Sequence, residues 1–258
     1  MKNNGMRAFV MTACGAAILA ASAISTVQAE APSPPDGRQV VSLESTDGLK
    51  LVNVKAEAVT YKGKKGIYVT GNRPPAAPGG QRGQGGRGGG MPQRVEALAI
   101  IESTDFKNGT IEFEVSGAPS KTAGANSRGF VGIAFKVKPG EHYAYECFYL
   151  RPTNGRADDQ LRRNHTIQYT SHPDFPWMKL RSETPGVYES YTDLAPGEWT
   201  KVKIEVDGEK AKLYVKGADQ PCLIINDLKM GADAHGPVAL WLESSTDAHF
   251  RNMVITNK

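Results

Sequence analysis

The chain has 258 residues, 40% of them hydrophobic and 22% charged, with a formal net charge of +4. That length leaves room for one large β-domain or two small ones. The positive charge does not form a basic face: removing Lys2 and Arg7 of the N-terminal leader leaves +2, and removing Arg73, Arg82, Arg87 and Arg94 of a glycine-rich stretch as well leaves −2. This distribution speaks against nucleic acid as a partner.

Residues 1–29 read as a secretory signal peptide. Lys2 and Arg7 precede an apolar run over residues 8–24, which ends in Val27-Gln28-Ala29; a charged start, an apolar middle and small residues at a cleavage point are the marks of an export leader. Cleavage after Ala29 predicts a periplasmic or secreted bacterial protein. Ser22, Ser25 and Thr26 stop the run short of the ~20 apolar residues that a membrane span needs, and no later stretch predicts an integral membrane segment. Two cysteines, Cys147 and Cys222, follow the leader. Export permits a disulfide between them, while their strand-like surroundings equally suit buried thiols.

The mature chain, residues 30–258, reads as a single β-domain. Strands are predicted over residues 40–43, 49–54, 66–69, 95–101, 110–115, 131–137, 143–151, 167–169, 202–206, 213–215, 223–225, 238–242 and 250–256, several with strict apolar/polar alternation. Asp207-Gly208 predicts a tight hairpin. No long stretch has helical periodicity. Residues 71–94, GNRPPAAPGGQRGQGGRGGGMPQR, are low in complexity and predict a disordered Gly/Arg-rich loop joining two strands of one sheet. So many short strands predict an all-β, two-sheet antiparallel jelly-roll sandwich.

Residues 143–191 concentrate the chemistry. Six of the nine tyrosines fall here, with Trp177, five arginines, Asp158, Asp159, His165 and His172. Rings, guanidinium groups, carboxylates and imidazoles together suit a polar small-molecule or sugar site; the alternative is an aromatic-rich surface tied by Arg–Asp pairs. Along residues 143–151, Tyr143, Tyr145, Cys147, Tyr149 and Arg151 share one face, and Ala144, Glu146, Phe148 and Leu150 the other. Glu146 therefore sits among apolar side chains and must pair with an arginine or hold a raised pKa fit for acid–base work. Catalytic candidates are Glu146, His165 and Asp158; His172 is expected to cap a turn. Substrate-binding candidates are Tyr145, Tyr149, Arg151, Arg156, Asp159, Arg163, Asn164, Gln168, Tyr169, Trp177 and Arg181. Arg151, Arg156, Asn164, His165, Gln168, Tyr169 and Trp177 are expected to converge on one pocket.

Glu112 and Glu114 form a second carboxylate pair, about 7 Å apart on one strand face from the ~3.3 Å rise per residue, which is also what a solvated face offers. No cofactor is expected. The adjacent Asp158 and Asp159 are thin support for a structural calcium ion, and no C-x-x-C or histidine stands at metal-ligand spacing.

FKNGTIEFEVSG, GFVGIAFKV, YECFYLRP, PGEWTKVKIEVDGEKAKLYVKG and ALWLESSTDAHFRNMVI together resemble the concanavalin A-like lectin and glucanase superfamily over roughly residues 38–256. The chain looks most like its exported bacterial members of laminin-G-like and 3-keto-disaccharide-hydrolase-like type. The resemblance implies a jelly roll with the Tyr145-Glu146-Cys147 strand beside a concave face. It implies a carbohydrate or glycoside ligand and a protein that cleaves or modifies glycosides. A lectin-like module without turnover, or a structural envelope protein, remains the alternative. The E-x-D-x-x-E motif of the glucanases is missing, which argues against laminarinase-type hydrolysis.

Overall fold

The computed structural model describes residues 37–72, 96–121, 123 and 127–258. The expected leader, its expected cleavage point after Ala29 and residues 73–94 of the glycine-rich segment lie outside the described residues. The described residues belong to one compact unit, Ser33–Lys258.

Alternating side chains make each strand two-faced, and such strands hide their apolar faces by stacking two sheets. The larger sheet runs β13 (Leu223–Ile225), β12 (Lys210–Val215), β11 (Thr200–Asp207), β6 (Gly109–Pro119), β15 (Thr246–Asn257), β4 (Lys64–Gly71) and β3 (Val54–Tyr61), with β1 (Arg38–Val41) also paired to β15. The smaller sheet runs β10 (Glu189–Ser190), β9 (Ile167–His172), β8 (Ala144–Leu150), β7 (Val131–Lys138), β14 (Gly236–Leu242), β5 (Leu98–Phe106) and β2 (Leu49–Val52). Every pairing between these strands is antiparallel. The protein is a two-sheet jelly-roll sandwich.

The main core lies between the sheets. Ile111, Phe113 and Val115 of β6 and Val202, Ile204 and Val206 of β11 meet Val131, Ile133 and Phe135 of β7 and Leu240 and Leu242 of β14. Each such side chain contributes about 1.5–3 kcal/mol by leaving water. The Asp207-Gly208 hairpin forms as expected, with Asp207 opposite Lys210 and Gly208 at φ +62°. Cys147 lies on β8 of the smaller sheet, and Cys222 lies beside β13 of the larger one; they are not bonded to each other. Burial pushes the Cys222 thiol up to about 11.

One expectation is corrected here. The glycine-rich segment does not join strands of one sheet: β4 before it belongs to the larger sheet and β5 after it to the smaller. Two short helices, α1 (Gln160–Asn164) and α2 (Trp177–Glu183), also interrupt the strand pattern. Both are too brief to show a helical period. No helix among the described residues is long and apolar enough to cross a membrane.

Candidate functional site

The smaller sheet has a second apolar layer on the side away from the main core. Leu98, Ile100, Ala134, Tyr145, Cys147, Tyr149, Ala239 and Trp241 form it, all buried. Its rings are ordered by strand register: Tyr149 and Trp241 stack with centroids 4.7 Å apart, Phe130 stacks on Tyr149 at 5.5 Å, and Tyr145 stacks on His172 at 4.8 Å. His172 closes β9 in this aromatic row, where a turn cap was expected.

Arg151 leaves β8 on this same side and anchors the layer's polar end. Its guanidinium donates to His165 O at 2.8 Å, Tyr149 Oη at 2.9 Å and Gln168 Oε1 at 3.1 Å. It also lies 5.0 Å from the Tyr149 centroid and 5.1 Å from that of Phe130. Burial pulls its pKa below the ordinary arginine value. Such a site suits arginine, whose planar fork serves several acceptors at once.

Beyond Arg151, at the β10 edge, the polar groups reach solvent. Glu189 stands opposite Gln168 in the β9–β10 ladder. Its carboxylate takes both hydrogen-bonding nitrogens of Arg181 from α2, with Nε 3.0 Å from Oε1. His165 Nδ1 lies 2.7 Å from Glu189 Oε2, out of line for an ideal hydrogen bond. The His165 side chain is 18% exposed, that of Arg181 30% and that of Glu189 4%, so a ligand can reach the first two while the third orients them. Burial lowers the His165 pKa, and although Glu189 pulls it up, Arg181 and Arg151 add to the lowering. The imidazole is thereby held neutral, able to accept a proton.

Two aromatic rings belong to this rim. Trp177 opens α2, with the Arg181 guanidinium 4.6 Å from its ring centroid. Tyr191 follows Glu189 by two residues and carries Arg163, whose guanidinium lies 5.0 Å from the ring and donates to the hydroxyl at 2.8 Å.

The expected convergence thus divides. Arg151, His165, Gln168, Trp177 and Arg181 gather at the rim, with Tyr145 and Tyr149 in the layer beside it. Tyr169 and Glu146 point the other way, into the main core, because neighbours along a strand face opposite sides. There Tyr169 donates to Glu146 Oε2 at 2.7 Å, and the Met230 amide donates to Oε1 at 2.7 Å. Burial raises the Glu146 pKa against these hydrogen bonds and the nearby Lys136. The expected arginine partner of Glu146 is a tyrosine, a backbone amide and a lysine instead.

Other candidates hold loops. Arg156 is exposed and pairs with Asp193 through Nε at 2.8 Å. Asp159 caps α1, accepting from the Arg162 amide at 2.6 Å, and Asp158 is exposed. Asn164 accepts from Gln160 at 2.8 Å. Among the described residues no group of three or more His, Cys, Asp or Glu side chains gathers as metal ligands would. Glu112 and Glu114 lie on the outer face of the larger sheet, where Glu114 accepts from Lys64 at 3.0 Å and Asn252 at 2.9 Å.

The rim members that sequence reasoning missed are Glu189 and, two residues on, Tyr191; Glu189 is the one that orients the others. It sits in a two-residue strand with no alternation to read, 24 positions from His165. Trp241 and Phe130 were also missed, since each lies in a run that reads simply as core strand.

No family model and no curated protein sequence matches the chain. Solved structures do resemble it. Carbohydrate binding module CBM66 from Bacillus subtilis aligns at 13% identity with a TM-score of 0.49, over 81% of this chain and 96% of the module. A Bacillus subtilis protein of unknown function with a galectin-like fold aligns at 9% identity and a TM-score of 0.48, over 86% of this chain and 96% of that one. The Emp47p carbohydrate recognition domain aligns at 10% identity and a TM-score of 0.46, over 87% and 97%.

Proposed function

We propose that this protein is an exported carbohydrate-active protein that holds a glycoside at the β10 rim and transfers a proton through His165. The observation that carries the reading is the His165–Glu189–Arg181 cluster, part-exposed and accompanied by the rings of Trp177 and Tyr191. Rings offer faces to the C–H side of a sugar, and guanidinium groups hold its oxygens. Glu189 fixes the imidazole, and neutral His165 serves as base at the sugar carbon or hydroxyl placed against it. Arg181 and Arg163 are the groups that meet charge developing on oxygen. The leader over residues 1–29 supports export.

Sugar binding without turnover is the second reading, and one feature favours it. Glu189 is engaged by both Arg181 and His165, and Glu146 faces the opposite side of the sheet. The rim therefore does not present the paired carboxylates that most glycosidases use.

A screen of glycosides and keto-sugars, scored for both binding and product, separates the two. On the enzymatic reading His165→Gln keeps ligand affinity and lowers turnover by ~100-fold. Binding with no product from any substrate supports the lectin-like reading, and no binding at all removes both.

A further inference from the structure

The opposite side of the molecule carries a groove that the β10 rim does not explain. It lies on the outer face of the larger sheet, has a volume of about 450 Å³, and is lined in part by Glu112, Glu114, Lys201, Lys203, Tyr214 and Asn252. That volume is within the range of small-molecule sites. Strand register builds it: Glu114 stands opposite Lys201 and Glu112 opposite Lys203 in the β6–β11 ladder, and Lys203 stands opposite Tyr214 in β12.

Three features distinguish this face from an ordinary solvated one. First, the β6–β15 ladder slips between Arg251 and Val254, and Asn252 within the slip has φ +50°. A bulge re-aims side chains, and an asparagine in the left-handed region is a conformation that few other residues adopt. Here it sends Asn252 Nδ2 to Glu114 Oε1 at the groove wall. Second, two buried polar atoms on this face make no hydrogen bond, Ser116 Oγ and Arg251 Nε, the latter 3.9 Å from Glu114 Oε2. Ser116 is 2% exposed and stands directly opposite His249 in the ladder. Unpaired buried polar atoms each cost ~1–3 kcal/mol and need an explanation. Third, an aromatic cluster adjoins: Tyr61 stacks on His249 at 3.8 Å, Trp199 meets Tyr61 edge-on at 5.8 Å, and the Arg251 guanidinium lies 5.9 Å from the Trp199 ring.

The groove's charges select its ligand. Three carboxylates, Glu112, Glu114 and Asp219, and two ammonium groups, Lys201 and Lys203, line it; counting the groups paired to them, Glu205 on Lys203 and Lys64 and Arg251 on Glu114, four acids meet four cations, so the groove offers no net field to an anion or a cation. What it offers is a dense set of donors and acceptors beside aromatic rings, which matches a neutral polyhydroxylated ring. We infer that the outer face of the larger sheet holds a second saccharide subsite, taking a neutral sugar segment along the Glu112–Glu114–Asn252 groove. It is separated from the rim by the whole main core, so one molecule can hold two sugar segments at once.

Isothermal titration of the full chain with cellohexaose, laminarihexaose, maltohexaose and xylohexaose tests this, with oligogalacturonate as the anionic comparator. Asn252→Gly deletes the side chain while keeping the backbone angle, and Glu112→Gln removes one charge from an exposed position; thermal melts confirm that both fold. At least one neutral hexaose should bind, and each variant should weaken that binding about tenfold, as the loss of one strong hydrogen bond does. Arg181→Ala at the rim should leave this event unchanged, which keeps the two sites distinguishable. Binding that neither groove variant alters, binding of oligogalacturonate alone, or no hexaose binding at millimolar concentration would overturn the inference.

Discussion

Tyr149 and Trp241 stack at 4.7 Å although their strands are not neighbours. Gly132 of β7 stands between them, paired to Tyr149 on one side and Trp241 on the other. Strands two steps apart in a sheet lie nearly 10 Å apart by the ~4.8 Å spacing, so the rings meet only because the intervening residue has no side chain. A Cβ on Gly132 would lie 2.1 Å from Phe148 O and 2.8 Å from Tyr149 Cβ. Gly132→Ala should therefore destabilise the fold by ~2–3 kcal/mol, the cost of overpacking. Chemical denaturation measures it, and an unchanged midpoint would refute the claim.

Arg151→Lys tests the polar end of the same layer. Lysine can reach one of the three acceptors that the fork now serves, leaving Tyr149, Gln168 or the His165 carbonyl short of a donor. Stability should fall by about 2–3 kcal/mol, and rim affinity should fall with it because the His165 carbonyl is left with Asn154 Nδ2 as its one remaining side-chain donor. A variant as stable as the parent would show that these hydrogen bonds contribute little.

Glu146→Gln should act on stability alone. The amide keeps one acceptor for Tyr169 or Met230 but not both, costing about 1–3 kcal/mol, and the rim lies across the sheet. The pH dependence has a definite sign. The folded pKa is raised above 4.5, so the group's contribution is full below 4.5 and is lost as pH rises through the folded value. Melts of parent and variant should therefore differ most in acid and converge toward neutrality. Turnover or rim binding that collapses in a well-folded variant would return Glu146 to the active site.

If His165 is the base, the rate should rise with pH and level off below the ordinary histidine value of 6.5, since the pKa is lowered. Arg181→Ala removes a positive charge that depresses it, so the limb should move to higher pH. A pH–rate profile that Arg181→Ala leaves in place would exclude His165 as the titrating base.

His249 supplies an independent pH signal. Burial pulls it down to about 4, against the upward pull of Asp247. A depressed histidine contributes stability above 6.5 that is lost as pH falls toward 4. His249→Phe should keep the stack on Tyr61 and flatten the melting temperature between those limits. A parallel decline in parent and variant would assign the acid sensitivity to other groups.

The two-residue period made much of this legible in the sequence. It placed Tyr145, Cys147 and Tyr149 opposite Glu146, Phe148 and Leu150, and the structure has them so. The same rule, applied to Gln168 and Tyr169, would have kept Tyr169 out of the rim. Sheet membership was not legible, because β4 and β5 look alike as strings and only long-range pairing assigns them to different sheets. Glu189 was hidden for a similar reason: its role is set by Arg181 and His165, which the chain brings to it through α2 and β9.

The place of β15 bears on how the molecule is made. It pairs with β6 along one edge, and along the other with β4 through Asp247–Phe250 and with β1 through Met253–Thr256. Strands β1, β3 and β4 come early in the chain, yet they reach the larger sheet only through a strand that follows some 175 residues after β4. A chain emerging N-terminus first therefore cannot close the sandwich while β15 is still being synthesised. Such delayed, non-local pairing slows folding, because the early strands stay unpaired until the last one is available.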